Sequence, residues 1–370
     1  PADKVLAGLG IPGVGKATAK ELIRTFGSID AIGEADKDAL SAVQDIGEIS
    51  AEGIYNFFRD EGNVELLRRL KDLGLNFAKA ENEVQGSSLA GLTFCITGTL
   101  EGMSRSEAEA LIESNGGKAV VVPPEIEGFQ IDFSAFEAAI TPHTKGVVLN
   151  NPNNPSGVIY TREELAALAE MLKRKEEEYG HPIYIIADEP YRELVYDNAE
   201  VSFIPTIYDN TIVCYSYSKS LSLPGERIGY ILVSPTMQDA SDVFAAICGA
   251  SRSLGFVCAP SLLQLTVGAC DGTPPDLTAY DENRTLLYDS LTKMGYDAIR
   301  PDGAFYLFVK ALESDAYAFC ERAKKYELLL VPSDDFGVTG YVRIAYCVSN
   351  DQIRRSLPAF EALYNDYHKE

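Results

Sequence analysis

The chain has 370 residues, 46% of them hydrophobic and 24% charged, a balance typical of a water-soluble globular protein with two or more domains. Its formal net charge of −23 repels polyanions, so any nucleic-acid role would need a locally basic surface. No apolar run approaches the roughly 20 residues that cross a bilayer, and the N-terminus carries no export signal, so we expect a cytoplasmic protein without membrane contact.

Residues 1–86 have the pattern of short helices joined by glycine turns, and we expect a separate all-α domain there. The stretches LGIPGVGKATAKELIRTF, from Leu9, and VQDIGEISAEGIYNFF, from Val43, each place a glycine turn before a helix. Such turns either let backbone N–H groups reach a phosphate or merely cap and pack helices. Because residues 1–88 hold 10 basic and 15 acidic side chains, residues 9–15 and 44–49 predict at most weak, non-specific DNA contact.

Residues 87–122 predict a strand, a helix and a second strand. In LAGLTFCITGTLEGMSRSEAEALIESNGGKAV, Ser104 and Glu107 fit a capping box, and the glycines after Asn115 fit a helix stop. We expect 92–96 and 118–122 to be neighbouring parallel strands of the sheet that carries Asp188. The turn at 97–99 could hold a phosphate or simply end the first strand.

These two segments resemble parts of one family. Residues 1–86 are similar to the paired helix-hairpin-helix domain of bacterial NAD-dependent DNA ligases, and residues 87–122 resemble the first third of a BRCT domain. The resemblance implies a DNA-binding, repair-associated module as an alternative function. It implies no ligase activity, because the adenylation domain and its lysine are not in the sequence.

From residue 117 onward, strands alternate with helices. The strand patterns TKGVVLNNP, PIYIIADEP and TIVCYSYSK, with a helix over 162–179 between the first two, predict an α/β fold with a mostly parallel sheet. Asn154, Asp188 and Lys219 are 34 and 31 residues apart, and each follows an apolar strand. The three side chains should therefore gather at the carboxyl edge of the sheet, where such folds bind ligands.

A second resemblance covers this part of the chain. The motifs NNPNNPSG, ADEPY, SYSKSLSLPGERIGY, PDGAFYLF and YVRIAY, in that order over 150–346, resemble those of the class I and II aminotransferases, pyridoxal-phosphate enzymes of fold type I. The resemblance implies a large cofactor domain over 117–275 and a smaller α+β domain over 276–370. It also implies an amino acid and a 2-oxo acid as substrates, with aspartate as one candidate, and a homodimer as one possible assembly.

The same resemblance implies a role for each site residue. Lys219 would bind the cofactor aldehyde covalently and move the substrate proton, while Asp188 would pair with the ring nitrogen. The remaining roles are the ring oxygen for Asn154 and Tyr191, the cofactor phosphate for Ser216, Ser218 and Arg227, and the substrate carboxylate for Arg343. The family also implies a cis peptide bond before Pro155.

Three interpretations of the whole chain remain open at this point. In family members, an aromatic ring stacks on the cofactor, a helix end faces its phosphate and an arm reaches the partner subunit. All three come from sequence upstream of the point where the resemblance begins. We therefore expect an aminotransferase that binds its cofactor but turns over slowly. The alternatives are the DNA-binding module and a chimeric chain without a single evolved function. Seven scattered cysteines and three histidines predict reduced thiols and no metal site.

Overall fold

The computed structural model describes residues 2–43, 46–75, 77–78, 89–96, 105–270 and 272–369. The chain divides into two compact units, Pro1–Glu83 and Val84–Glu370. The predicted capping box at Ser104, the turn at 97–99 and the linker at 80–88 lie outside the described residues.

The first unit is all-α, as its glycine-punctuated pattern predicts. Its described part contains the helices α1 (Ala2–Gly8), α2 (Lys16–Phe26), α3 (Ile29–Glu34), α4 (Lys37–Ser41), α5 (Glu48–Phe57) and α6 (Glu61–Asp72). Each of these helices turns an apolar face towards a shared core. Leu6 of α1, Leu22 of α2 and Ile54 of α5 are fully buried there. The helices α2 and α5 begin directly after Gly15 and Gly47, and neither glycine can supply a side-chain cap.

The second unit is built on a six-stranded sheet of order β2-β1-β3-β4-β5-β6. In chain order its elements are β1 (Thr93–Ile96), α7 (Arg105–Ser114), β2 (Lys118–Val121), α8 (Phe133–Ala139), β3 (Thr144–Asn150), α9 (Arg162–Tyr179), β4 (Tyr184–Asp188), β5 (Thr211–Ser216), α10 (Tyr217–Ser220), β6 (Gly229–Val233), α11 (Ala240–Ser253) and α12 (Ser261–Ala269). All neighbouring strands are parallel except β5 and β6. The α/β fold with a mostly parallel sheet is thus confirmed.

The strand-helix-strand prediction for residues 92–122 is also confirmed. Strand β1 pairs in parallel with β2, beginning with Thr93 opposite Lys118, and its other edge pairs with β3. Helix α7 lies between the two strands in sequence and is followed by Gly116 at φ +83°, a left-handed conformation that favours glycine. These residues therefore belong to the sheet that carries Asp188.

A smaller antiparallel sheet follows in the chain. Its elements are α13 (Thr278–Met294), β7 (Ala298–Ile299), β8 (Tyr306–Lys310), α14 (Ala316–Ala323), β9 (Val331–Pro332), β10 (Tyr341–Ala345) and α15 (Asn350–Tyr367), with strand order β7-β8-β10-β9. Phe319, Phe360 and Leu363 bury their side chains against β8 and β10. This is the smaller α+β part that the sequence predicts.

Helix α9 and helix α11 differ sharply in burial. Helix α9 buries Leu165, Leu168 and Leu172 against the sheet, as their spacing predicts, and it starts with a capping box. Helix α11 buries none of its residues. Exposed apolar side chains on and between α11 and α12 are Phe244, Leu254, Phe256, Val257, Leu262 and Leu265, which we call the α11–α12 apolar surface.

No helix in the described part of the chain is long and apolar enough to cross a membrane. Among the same residues, no group of histidine, cysteine, aspartate and glutamate side chains is arranged to hold a metal ion.

Candidate active site

The site is assembled where three neighbouring parallel strands end. Asp188 is the last residue of β4, where it lies between Asn150 of β3 and Cys214 of β5 in the strand register. Asn154 follows the end of β3 by four residues, and Lys219 lies in α10, the single helical turn after β5. Because the carboxyl ends of parallel strands share one edge, the three predicted residues lie at the same edge of the sheet.

Asp188 is held by Asn150, a residue to which none of the sequence motifs assigns a role. The carboxylate is only 4% exposed, and Asn150 Nδ2 donates to Asp188 Oδ2 and to its main-chain oxygen, both at 3.0 Å. Asn150 Oδ1 in turn accepts from the backbone N–H of Asn154 at 2.6 Å. One amide therefore fixes the carboxylate and the loop after β3 together, and the peptide bond before Pro155 is cis.

Lys219 faces aromatic rings from two parts of the chain. Its Nζ lies 5.6 Å from the ring centroid of Tyr191 and 5.3 Å from that of Phe305. The Tyr191 hydroxyl is 3.1 Å from the hydroxyl of Tyr306, and both tyrosines are buried. An ammonium within about 6 Å of a ring centroid is attracted by the negative ring face, so these rings favour the observed position of the amine.

Arg343 reaches the same edge from β10 of the smaller sheet. Its Nη1 donates to Asn154 Oδ1 at 2.8 Å, and its Cζ lies 4.5 Å from the ring centroid of Tyr306 and 4.9 Å from that of Phe336. Among the described residues, the Arg343 Nε atom is buried without a hydrogen-bond partner. Burying a charged donor without a partner costs free energy, and an anionic ligand bound to Arg343 would remove that cost.

The three residues predicted to bind the cofactor phosphate are Ser216, Ser218 and Arg227. Ser216, at the start of α10, accepts from the backbone N–H of Ser218 at 3.2 Å, and the two hydroxyl oxygens are 2.8 Å apart. Arg227 is exposed, adopts φ +51° and donates from Nη1 to the carbonyl of Pro224 at 2.9 Å. The structure thus brings the two hydroxyls together and places the guanidinium at the surface.

Burial and charge at this edge act on a neighbouring thiol. Cys214 lies opposite Asp188 on β5, and burial, aided by the negative charge of Asp188, raises the pKa of the Cys214 thiol to about 12. The thiol therefore stays protonated at neutral pH, and a neutral side chain borders the carboxylate.

Comparison with known proteins identifies the family of this chain. A model described as aminotransferase class I and II matches residues 106–360. The chain belongs to the class I and II aminotransferases. A helix-hairpin-helix motif model matches residues 4–67, in the first unit.

Relatives and solved structures agree with this family. A probable N-acetyl-LL-diaminopimelate aminotransferase of Bacillus subtilis is 32% identical over 263 residues, which are 68% of this chain and 64% of the relative. An aspartate aminotransferase of Geobacillus stearothermophilus is 32% identical over 259 residues, 64% of this chain and 63% of that protein. The chain thus spans less than two thirds of the length of these two aminotransferases.

Among solved structures, an amino transferase from Eubacterium rectale superposes with a TM-score of 0.72 at 50% identity, over 78% of this chain and 71% of that one. An aspartate aminotransferase from Thermotoga maritima gives a TM-score of 0.64 at 26% identity, over 81% of this chain and 80% of that one.

Class I and II aminotransferases depend on pyridoxal phosphate, and the donor set of this chain fits that group. A lysine amine suits its aldehyde, a buried carboxylate suits its ring nitrogen, and paired hydroxyls suit its phosphate. The unpartnered Nε of Arg343 suits the carboxylate of an amino acid.

Proposed function

We propose that this chain is a pyridoxal-phosphate-dependent aminotransferase that moves an amino group between an amino acid and a 2-oxo acid. The observation that carries the proposal is the placement of Lys219 one turn past β5, with the buried Asp188 at the end of the neighbouring strand β4. A solvent-exposed loop lysine would not have the rings of Tyr191 and Phe305 beside its Nζ.

Each residue then has a defined task. Bound pyridoxal phosphate supplies an aldehyde for the amino group and a ring that withdraws electrons. Lys219 would hold the cofactor covalently until the substrate amine displaces it, and the freed Nζ would then move the proton between the substrate α-carbon and the cofactor. Asp188, oriented by Asn150, would face the ring nitrogen. The ring oxygen would lie near Asn154 and Tyr191, and the phosphate near Ser216, Ser218 and Arg227.

Arg343 would position the substrate. Its planar guanidinium can bind a carboxylate through two parallel hydrogen bonds, and the rings of Tyr306 and Phe336 hold it in place. The bond from Nη1 to Asn154 also links the substrate clamp to the loop that follows β3. Substrate and cofactor groups would therefore be aligned by one connected set of side chains.

Covalent trapping tests this proposal. The chain is incubated with pyridoxal phosphate, reduced with borohydride, digested and mapped by mass spectrometry, and the adduct is expected on Lys219. Lys219→Ala should lose the adduct, whereas Lys310→Ala, at the exposed end of β8, should keep it. An unmodified wild-type Lys219, or an equal yield of trapped pyridoxal phosphate in Lys219→Ala, would refute the assignment.

Turnover is the second measurement. Arg343→Ala should retain the trapped adduct and lose amino-acid turnover, because the α-carboxylate is no longer held. The sequence leads us to expect wild-type turnover well below the roughly 10 s⁻¹ typical of enzymes. A measured turnover near that value would contradict the expectation of slow turnover.

We also propose weak, non-specific DNA contact by the first unit, in line with its resemblance to the ligase helix-hairpin-helix domain. The supporting observation is that α2 and α5 begin after glycines, so no side chain at Gly15 or Gly47 competes with a phosphate for the first backbone N–H groups. The excess of acidic residues keeps the expected affinity weaker than about 10⁻⁵ M at physiological salt.

An aspartate at each cap tests this contact. Gly15 and Gly47 have φ of −83° and −79°, and a Cβ at either position would meet no atom within 4 Å, so both accept Asp without strain. The double variant Gly15→Asp, Gly47→Asp should keep its helix content and lose DNA binding in a low-salt titration. The single variants give the charge-matched comparison: Gly8→Asp, at the end of α1, adds one negative charge, as Gly15→Asp alone does, and should weaken binding much less than Gly15→Asp. Equal effects would mean that only net charge matters.

A further inference from the structure

A small cavity in the second unit adjoins the Asn154–Arg343 pair. It has a volume of about 50 Å³. Asn153 and Pro155, on either side of Asn154, line it, and so does Phe336, whose ring contacts the Arg343 guanidinium. Its apolar lining includes Val122, Phe129, Phe136, Phe308, Phe336 and Val338. Phe336 therefore touches both this apolar space and the guanidinium that would hold the substrate.

The charge of the lining excludes one class of occupant. Asp132 is the only charged residue among the lining residues, all of which lie in the described part of the chain. Its Oδ1 accepts from the backbone N–H of Ala135 at 2.9 Å, so it is a fixed anion at the start of α8. Gln130 adds a buried Oε1 acceptor that lacks a partner among the described residues. A second carboxylate would meet an anion and an acceptor but no cation.

The side chains of Asn153 and Ser156, which also line the cavity, are already hydrogen-bonded. Ser156 Oγ donates to Asn153 Oδ1 at 2.8 Å, and Asn153 Nδ2 donates to the carbonyl of Asn150 at 3.3 Å. These groups therefore do not demand a polar ligand.

The size of the cavity decides between two apolar occupants. A benzene ring is known to occupy an apolar cavity of about 150 Å³, roughly three times the present volume. A short branched aliphatic group needs less space than a ring. The walls are the rigid rings of four phenylalanines, and interiors packed in this way adjust little to an oversized group.

We infer that this cavity receives the substrate side chain and selects amino acids and 2-oxo acids with a short, uncharged aliphatic side chain over dicarboxylates and aromatic ones. The inference rests on the proposed aminotransfer with Arg343 as the carboxylate clamp. It names the class of substrate, because Phe336 touches both the clamp and the cavity. Each buried methylene should contribute roughly a fourfold gain in affinity.

Equilibrium titration calorimetry with unreactive acids tests the inference without requiring turnover. The full chain, loaded with pyridoxal phosphate, is titrated with 4-methylpentanoate, 3-phenylpropanoate, succinate and acetate. We expect 4-methylpentanoate to bind at least tenfold more tightly than the other three, because only its side chain matches the cavity in size and charge. Tighter binding of succinate or 3-phenylpropanoate, or no measurable binding of 4-methylpentanoate, would overturn the inference.

Variants of the half-buried Val338 locate the binding site. Val338→Phe should fill the cavity and weaken 4-methylpentanoate at least tenfold with acetate unchanged. Val338→Lys adds the missing cation and should strengthen succinate at least tenfold, so the test does not depend on one variant folding. Leu329→Phe, at an 84% exposed position outside the lining, is the matched control and should change nothing. Unchanged affinities in both Val338 variants contradict the inference.

Arg343→Gln separates this inference from the proposed function. Loss of binding of all four acids supports the carboxylate clamp. If Arg343→Gln binds them normally while the Val338 variants behave as expected, the clamp is wrong and the cavity assignment stands. If only the Val338 variants are without effect, the clamp stands and the cavity assignment fails.

Discussion

The side-chain amide of Asn150 donates two hydrogen bonds of 3.0 Å to Asp188, one to the carboxylate and one to the main chain. The two residues are register partners on β3 and β4, and both are buried. A buried carboxylate needs such a donor, since its charge is otherwise poorly solvated. The bond therefore links sheet pairing to the charge that the proposed function requires.

Asn150→Ala should lower the free energy of unfolding by about 2 to 3 kcal/mol, because it leaves a buried carboxylate oxygen and the N–H of Asn154 without this partner. Urea denaturation followed by circular dichroism measures the change. Asn365→Ala, at an exposed position of α15, is the control and should change stability by less than about 0.5 kcal/mol. Similar losses in both variants would show that the bond to Asp188 contributes little.

Gly157 and Gly180 provide a matched pair of left-handed glycines, at φ +74° and +72°. A Cβ at Gly157 would overlap the Cβ of Pro301 and approach two carbonyl oxygens at 3.1 Å, whereas one at Gly180 meets no atom within 4 Å. Gly180→Ala should cost about 1 kcal/mol from backbone strain alone. Gly157→Ala should cost at least about 3 kcal/mol, since overlap is added to strain. Equal thermal-unfolding shifts would contradict this difference.

Arg284 is a buried cation, with a side chain only 1% exposed. It donates to Asp197 and to the carbonyl of Pro301, both at 2.8 Å, and pairs with Asp281 at 2.6 Å. Arg284→Ala should lower the free energy of unfolding by about 3 kcal/mol, because packing and several charge-assisted bonds are lost together. Arg355→Ala breaks an ion pair whose side chains are 73% and 75% exposed, and should cost less than about 0.5 kcal/mol. Chemical denaturation of both variants provides the comparison.

Alkaline pH should destabilise the protein in a defined window. Burial raises the pKa values of Cys214, Tyr160 and Tyr196 to about 12, above the values of about 8.5 for a thiol and 10 for a phenol in an unfolded chain. The folded state therefore binds more protons than the unfolded state, and stability falls as the pH rises from about 8.5 to 12.

Urea midpoints measured across that range should decline, and Cys214→Ala should make the decline shallower. Cys258→Ala, which removes an exposed thiol, should leave the slope as in the wild type. A slope that is the same in both variants would mean that the Cys214 thiol is not the titrating group.

Local sequence patterns predict much of this fold for a physical reason. Apolar runs separated by one crossover commonly form neighbouring parallel strands, as β3, β4 and β5 do here, so the spacing predicts Asp188 and Lys219 at one edge of the sheet. The glycine stop after Asn115 and the buried leucine face of α9 are equally local.

The contacts between the two sheets could not be predicted in this way. The bond from Arg343 to Asn154 joins residues 189 positions apart, and the ring of Phe305, the residue before β8, approaches Lys219. Such contacts depend on how β8 and β10 pack, which no short motif encodes. Asn150 was missed although it carried a readable signal, because an asparagine at the end of a buried strand needs a polar partner on the next one.

The α11–α12 apolar surface has a consequence for the colloidal behaviour of the protein. At low ionic strength the net charge of −23 keeps molecules apart, since the Debye length is about 30 Å at 0.01 M salt. At 1 M salt that length falls to about 3 Å, and attraction between the exposed side chains of two molecules is no longer opposed. The second virial coefficient should therefore pass from positive to negative as salt is added, the opposite of an association held by ion pairs.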